Sequence, residues 1–122
     1  MKQEALTSEA KKVLPQLEKF SDFYLAGGTG LALQLGHRVS IDLDLFTQEE
    51  FPDNLISRTE EQFSESEVEI KIKQAEQLMV EVGGVEITFI RYPFPVLSEF
   101  LDYKGVSVLS AKEITAMKAY SI

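Results

Sequence analysis

Two apolar runs, Leu78–Val82 and Val85–Ile90, flank the glycine pair Gly83-Gly84, and this arrangement leaves the chain few options. Glycines reach the positive φ values that a two-residue hairpin turn demands, and the turn fixes the register of the strands on either side. Val82 then faces Val85, Val80 faces Ile87 and Leu78 faces Phe89, an apolar face that another layer must cover. The same register sets Glu81 opposite Glu86. Like charges opposed across strands repel, so either a cation or basic neighbour relieves them or both glutamates fan apart into water.

The rest of the chain supplies that layer and more sheet. Residues 8–20 carry Val13, Leu17 and Phe20 on one helical stripe, with Pro15 placed to start or kink the helix. Phe23–Ala26 is a short apolar strand stopped by Gly27-Gly28, and Thr29–Leu35 reads as a short helix capped by Gly36. From Ser40 to Phe46 the pattern alternates: Ile41, Leu43 and Leu45 point one way, Ser40, Asp42 and Asp44 the other. Residues 48–63 predict a loop and a surface helix. Val68, Ile70 and Ile72 alternate with charged residues as a half-buried strand. Tyr92-Pro93-Phe94-Pro95 breaks the sheet, Val106–Leu109 is a last short strand, and Ser110 with Glu113 forms a capping box that opens a helix. The expected fold is α+β, a mixed or antiparallel sheet flanked by helices.

At 122 residues the chain is one domain, 1–122, too short for two cores. It has no cysteine, so disulfides, thiol nucleophiles and thiolate metal sites are excluded together. The opening MKQEALTSEA lacks the apolar stretch of a secretory signal, and no apolar run nears the ~18 residues of a membrane span. A soluble, cytoplasmic protein without membrane contact is expected. The net charge of −8 argues against a domain that grips nucleic acid by itself. It is compatible with a nucleotide held through divalent cations, whose ligands are acidic.

Chemistry concentrates in residues 23–46. Glycines at a strand-to-helix turn let a polyanion approach the backbone, where a helix N-terminus offers free N–H donors and partial positive charge. Gly27, Gly28 and the Thr29 hydroxyl suit that task, although glycines also serve ordinary turns. Asp42 and Asp44 lie two apart on one strand face, roughly 6–7 Å between Cα atoms. Two such carboxylates can share a hard cation. Without one, charges ~4 Å apart repel by about 4 kcal/mol at an effective dielectric near 20. Each could equally point into water. Together, a phosphate turn and a carboxylate pair place a triphosphate beside Mg²⁺, the arrangement phosphoryl transfer needs. Arg38 is positioned either to neutralise phosphate or to sit solvated in its loop. His37, the only histidine, lacks a second imidazole nearby and reads as a loop residue.

The segment FYLAGGTGLALQLGHRVSIDLDLF, residues 23–46, resembles the signature of AbiEii/AbiGii-type nucleotidyltransferases, a family that includes toxins of toxin–antitoxin systems. Weaker resemblance continues through Arg91-Tyr92-Pro93-Phe94 and Ala116-Met117-Lys118. The resemblance implies a polymerase-β-like nucleotidyltransferase core that moves a nucleoside monophosphate from an NTP to an RNA end or a protein hydroxyl, with a cognate antitoxin as partner. It assigns phosphates to Gly28 and Thr29, Mg²⁺ to Asp42 and Asp44, and support of the nucleotide or the aspartates to Arg38 and Ser40. Lys118 matches a lysine that faces the nucleotide.

Two departures stand out. Such enzymes often carry a third carboxylate on a later strand, where this chain has Thr88; Glu86 shares its face and is the candidate substitute, as base or metal ligand. The family also continues past the lysine helix into a helical region, which this chain is expected to lack. These departures motivate an alternative reading, a catalytically inactive module that binds a protein partner. A small-molecule nucleotidyltransferase of the antibiotic-modifying kind is a further alternative.

Overall fold

The computed structural model describes residues 6–27, 34, 42–93, 96 and 99–115. Its centre is a seven-stranded mixed sheet, ordered β3-β4-β5-β2-β1-β7-β6. The strands are β1 (Tyr24–Ala26), β2 (Asp42–Thr47), β3 (Val68–Lys73), β4 (Gln77–Val82), β5 (Val85–Arg91), β6 (Leu101–Tyr103) and β7 (Val106–Val108). β2 runs parallel to β5 and β1 parallel to β7; the other neighbours are antiparallel.

The β4–β5 hairpin has the register its sequence predicts: Val82 pairs with Val85, Val80 with Ile87 and Leu78 with Phe89. Gly83 and Gly84 turn at φ 55° and 83°, conformations that a Cβ disfavours. The buried apolar residues of β2, β4 and β5, with Leu25 of β1, share one core with α1 (Ser8–Val13), a 3₁₀ helix (Leu14–Lys19) and α2 (Leu55–Gln62). Phe89 packs at the centre of this layer, its ring 5.4 Å from Phe20 and 5.1 Å from Phe23.

Three local features differ from the sequence expectation. The helix expected over residues 8–20 is two segments, and Pro15 starts the second, one of the two roles its sequence allows. It sits in the first turn of the 3₁₀ segment, where its missing N–H costs nothing, and the α-helix ends at Val13. In β3 the strict alternation fails: a bulge between Ile70 and Ile72 leaves Ile70 paired with Val80 and Ile72 with Met79, on opposite faces. Finally, β6 pairs with β7 across a tight turn at Lys104 and Gly105, both with positive φ (51° and 86°).

The Ser110 half of the expected capping box is present: its hydroxyl accepts from the Glu113 amide at 3.4 Å, and residues 111–115 are helical. A smaller apolar cluster, Tyr24, Ala26, Leu109 and Ile114 with Phe46, Val96 and Ala111 against it, lies apart from the main core. No helix among the described residues is long and apolar enough to cross a membrane.

Candidate active site

Sheet register assembles the site. In-register partners project on the same face. β1 pairs Ala26 with Asp44, and β5 sets Glu86 beside Asp42 and Thr88 beside Asp44. Asp42 is exposed and Asp44 half-buried, while Leu43 and Leu45 between and beyond them are buried in the core. From Asp42 onward the alternation read from sequence is that of the folded strand, while Ser40 and Ile41 lie outside the described residues.

Gly27 follows Ala26 and turns at φ 64°, directly over Asp44. A Cβ built on residue 27 would collide with the Asp44 carboxylate oxygen, so only glycine admits the aspartate at this distance. The glycine turn and the carboxylate strand thus meet at one place. Gly28, Thr29, Arg38, Ser40 and Lys118 lie outside the described residues.

The electrostatics are crowded. Burial pushes the Asp44 carboxyl above the usual carboxylate range, and the negative charges of Asp42 and Glu86 push it further. Across the sheet the acidic row continues: Asp42 beside Glu86, Glu86 opposite Glu81, and Glu81 opposite Glu69. The basic neighbour is Lys71, whose Nζ lies 3.1 Å from Glu81 and 3.9 Å from Glu69. Among the described residues no three acidic or imidazole side chains gather closely enough to hold a cation. Glu86 therefore neighbours the aspartate pair without closing a three-carboxylate cage. The chemistry of the pair still suits a hard divalent cation: carboxylate oxygens, one half-buried, bearing mutual repulsion that a cation would relieve.

Tyr24, two residues before Ala26 on the same strand face, is the side chain that sequence reasoning passed over. Its ring packs against Phe46 at 5.9 Å and Phe100 at 5.1 Å, and its buried hydroxyl has no hydrogen-bond partner among the described residues. Burial, followed by Tyr92 and Glu113, pushes its pKa up to about 12. The period-two pattern that grouped Asp42 with Asp44 would have placed it on this face had it been extended to β1.

This mixed sheet with its helical layer has the nucleotidyltransferase fold, and solved structures of that class match it. A candidate nucleotidyltransferase of Thermotoga maritima, TM1012, matches with a TM-score of 0.65 at 15% identity, over 95% of this chain and 86% of that one. JHP933 of Helicobacter pylori gives 0.64 at 18% identity, over 97% and 57%. ANT(2")-Ia, solved with adenylyl-2"-tobramycin, gives 0.58 at 17% identity, over 94% and 76%. The chain belongs to the AbiEii nucleotidyl transferase toxin family, of type IV toxin–antitoxin systems, whose family model matches residues 11–108. An uncharacterised protein of Aquifex aeolicus, aq_aa25, is 34% identical over 116 residues; the match covers 93% of this chain and 56% of that relative.

Proposed function

We propose that residues 1–122 form the nucleotide-binding core of a Mg²⁺-dependent nucleotidyltransferase that transfers a nucleoside monophosphate from an NTP to an RNA end or a protein hydroxyl. In this reading it acts in the cytoplasm as the toxin of a pair whose antitoxin restrains it. The observation that carries the proposal is the contact of Gly27 with Asp44, which brings a phosphate-type turn to a carboxylate pair.

Asp42 and Asp44 would hold Mg²⁺, which when bound neutralises the triphosphate and lowers the cost of charge at the α-phosphorus. Gly27, Gly28 and Thr29 would face the phosphates, with Arg38, Ser40 and Lys118 supporting the nucleotide. The acceptor hydroxyl oxygen bonds to the α-phosphorus as the bond from that phosphorus to the bridging oxygen breaks, and pyrophosphate leaves. The hydroxyl proton needs a base. Thr88, at the register position beside Asp44, cannot take it, so the role falls to Glu86 beside Asp42.

Titration of each NTP with and without Mg²⁺, on wild type and Asp42→Ala, tests the nucleotide site. Binding that requires Mg²⁺ and disappears in the variant supports it; absence of any binding to wild type overturns it. Incubation with α-labelled NTPs and RNA, protein or aminoglycoside acceptors then identifies the product. Thr88 favours a second reading, a module that binds nucleotide and antitoxin without turnover. Label transfer by this chain eliminates it.

A further inference from the structure

The amide of Gln34 ties the segment that follows the glycine turn to the start of the C-terminal helical turn. Its Nε2 donates to the Leu109 carbonyl at 2.9 Å, and its Oε1 accepts from the Ala111 amide at 2.7 Å. Leu109 in turn donates its own N–H to the Leu25 carbonyl of β1 at 2.8 Å. Ala111 begins the helical residues 111–115, whose Ile114 is buried in the same small cluster as Tyr24 and Ala26. Ala26 is the register partner of Asp44. A short path of contacts therefore links Gln34 through Leu109 and Ile114 to the strand that carries the site.

A primary amide suits this tie. It donates through nitrogen and accepts through oxygen at once, whereas an ionised carboxylate accepts only and an aliphatic chain does neither. The two backbone groups it meets are separated by Ser110 alone, so the amide holds the strand-to-helix junction in a single geometry.

We infer that Gln34 is a positioning residue: it sets the helix beginning at Ala111 in register with the β1–β2 site, and its loss weakens nucleotide binding without unfolding the domain. The inference rests on the nucleotidyltransferase reading for its ligand and on the hydrogen bonds alone for its coupling.

The test compares wild type, Gln34→Glu, Gln34→Met and Ser110→Ala by Mg²⁺–NTP titration and by amide hydrogen exchange. Ser110→Ala frays the same helical turn at its cap while leaving the tie intact. Both Gln34 variants are expected to keep a single cooperative unfolding transition and to lose exchange protection at residues 109–115 and at residues 24–27 together. Their NTP dissociation constant should rise about tenfold, with Ser110→Ala within about twofold of wild type. Unchanged protection at residues 24–27 in both Gln34 variants, or equal weakening by Ser110→Ala, would overturn the inference. If wild type binds no NTP, the functional reading fails, and the exchange data alone decide whether Gln34 couples the helix to β1.

Discussion

A Cβ on Gly27 would overlap the Asp44 carboxylate where it stands. The pairing of Ala26 with Asp44 brings the next residue over the aspartate, and φ of 64° bends the backbone away in a form that L residues adopt reluctantly. Backbone conformation and carboxylate clearance therefore demand glycine for two independent reasons. An ordinary turn would need only the first.

Gly27→Ala should show both. The left-handed conformation costs about 1–2 kcal/mol, and the new methyl must displace Asp44 as well. Mg²⁺-dependent nucleotide binding is expected to vanish. Gly84→Ala is the matched control: φ is 83°, but a Cβ there meets nothing within 4 Å. It should lose about 1 kcal/mol in urea unfolding and bind nucleotide as wild type does. Equal binding by both variants would refute the close-approach argument.

Asp44→Asn should stabilise the metal-free protein near neutral pH while abolishing Mg²⁺ binding. The folded-state pKa of Asp44 is raised, so its favourable contribution is present below the ordinary carboxylate pKa and is lost as pH rises through the raised value. At neutral pH the wild type carries the strained charge and the variant does not. A gain of about 0.5–2 kcal/mol is expected, typical of relieving a functional site. It should fade as pH falls and wild-type Asp44 takes up its proton. Thermal unfolding across pH 4 to 8 measures it (a range set by ordinary carboxylate titration), and a variant less stable than wild type at pH 7 would count against it.

Tyr24 predicts behaviour at the alkaline end. Its phenol ionises near 12 in the folded protein against 10.0 for the free side chain. Stability from this group is complete below pH 10.0 and is lost as pH rises towards 12, by roughly 2–3 kcal/mol at one pKa unit per 1.36 kcal/mol. Tyr24→Phe removes a buried hydroxyl that has no hydrogen-bond partner among the described residues, so it should cost less than about 1 kcal/mol or stabilise slightly. Ultraviolet titration should lose its latest-ionising phenol in that variant. A titration curve of unchanged shape would show that the late phenol is another tyrosine.

Phe89→Ala tests the main core. The ring is fully buried against Phe20 and Phe23 on the interior strand β5, and its removal should cost about 3–5 kcal/mol in denaturant unfolding. A loss below about 1 kcal/mol would mean that the helical layer closes over the gap.

Legibility followed the strength of local chemistry. The glycine hairpin and the aspartate alternation could be read residue by residue because each has a period or a turn that admits one geometry. The β6–β7 hairpin could not: Lys104-Gly105 is a weaker turn signal than two glycines, and Leu101–Tyr103 is too short to show a period. The β3 bulge was hidden because an inserted residue shifts the pattern without changing composition. Asp42, Asp44 and Gly27 announced themselves by residue type. Gln34 and Tyr24 did not, since their significance lies in backbone groups and aromatic rings more than 20 residues away, which only folding brings near.

The irregularity in β3 bears on how this molecule behaves in a crowded solution. β3 is an outer strand, and Ile70 on it is 43% exposed. A flat, apolar outer strand invites another chain to add to it by backbone pairing. The extra residue between Ile70 and Ile72 disrupts the ladder locally, and exposed Glu69, Lys71 and Lys73 place charge where an incoming strand would have to lie. Straightening that rim and neutralising its lysines would open the edge to backbone pairing by another chain.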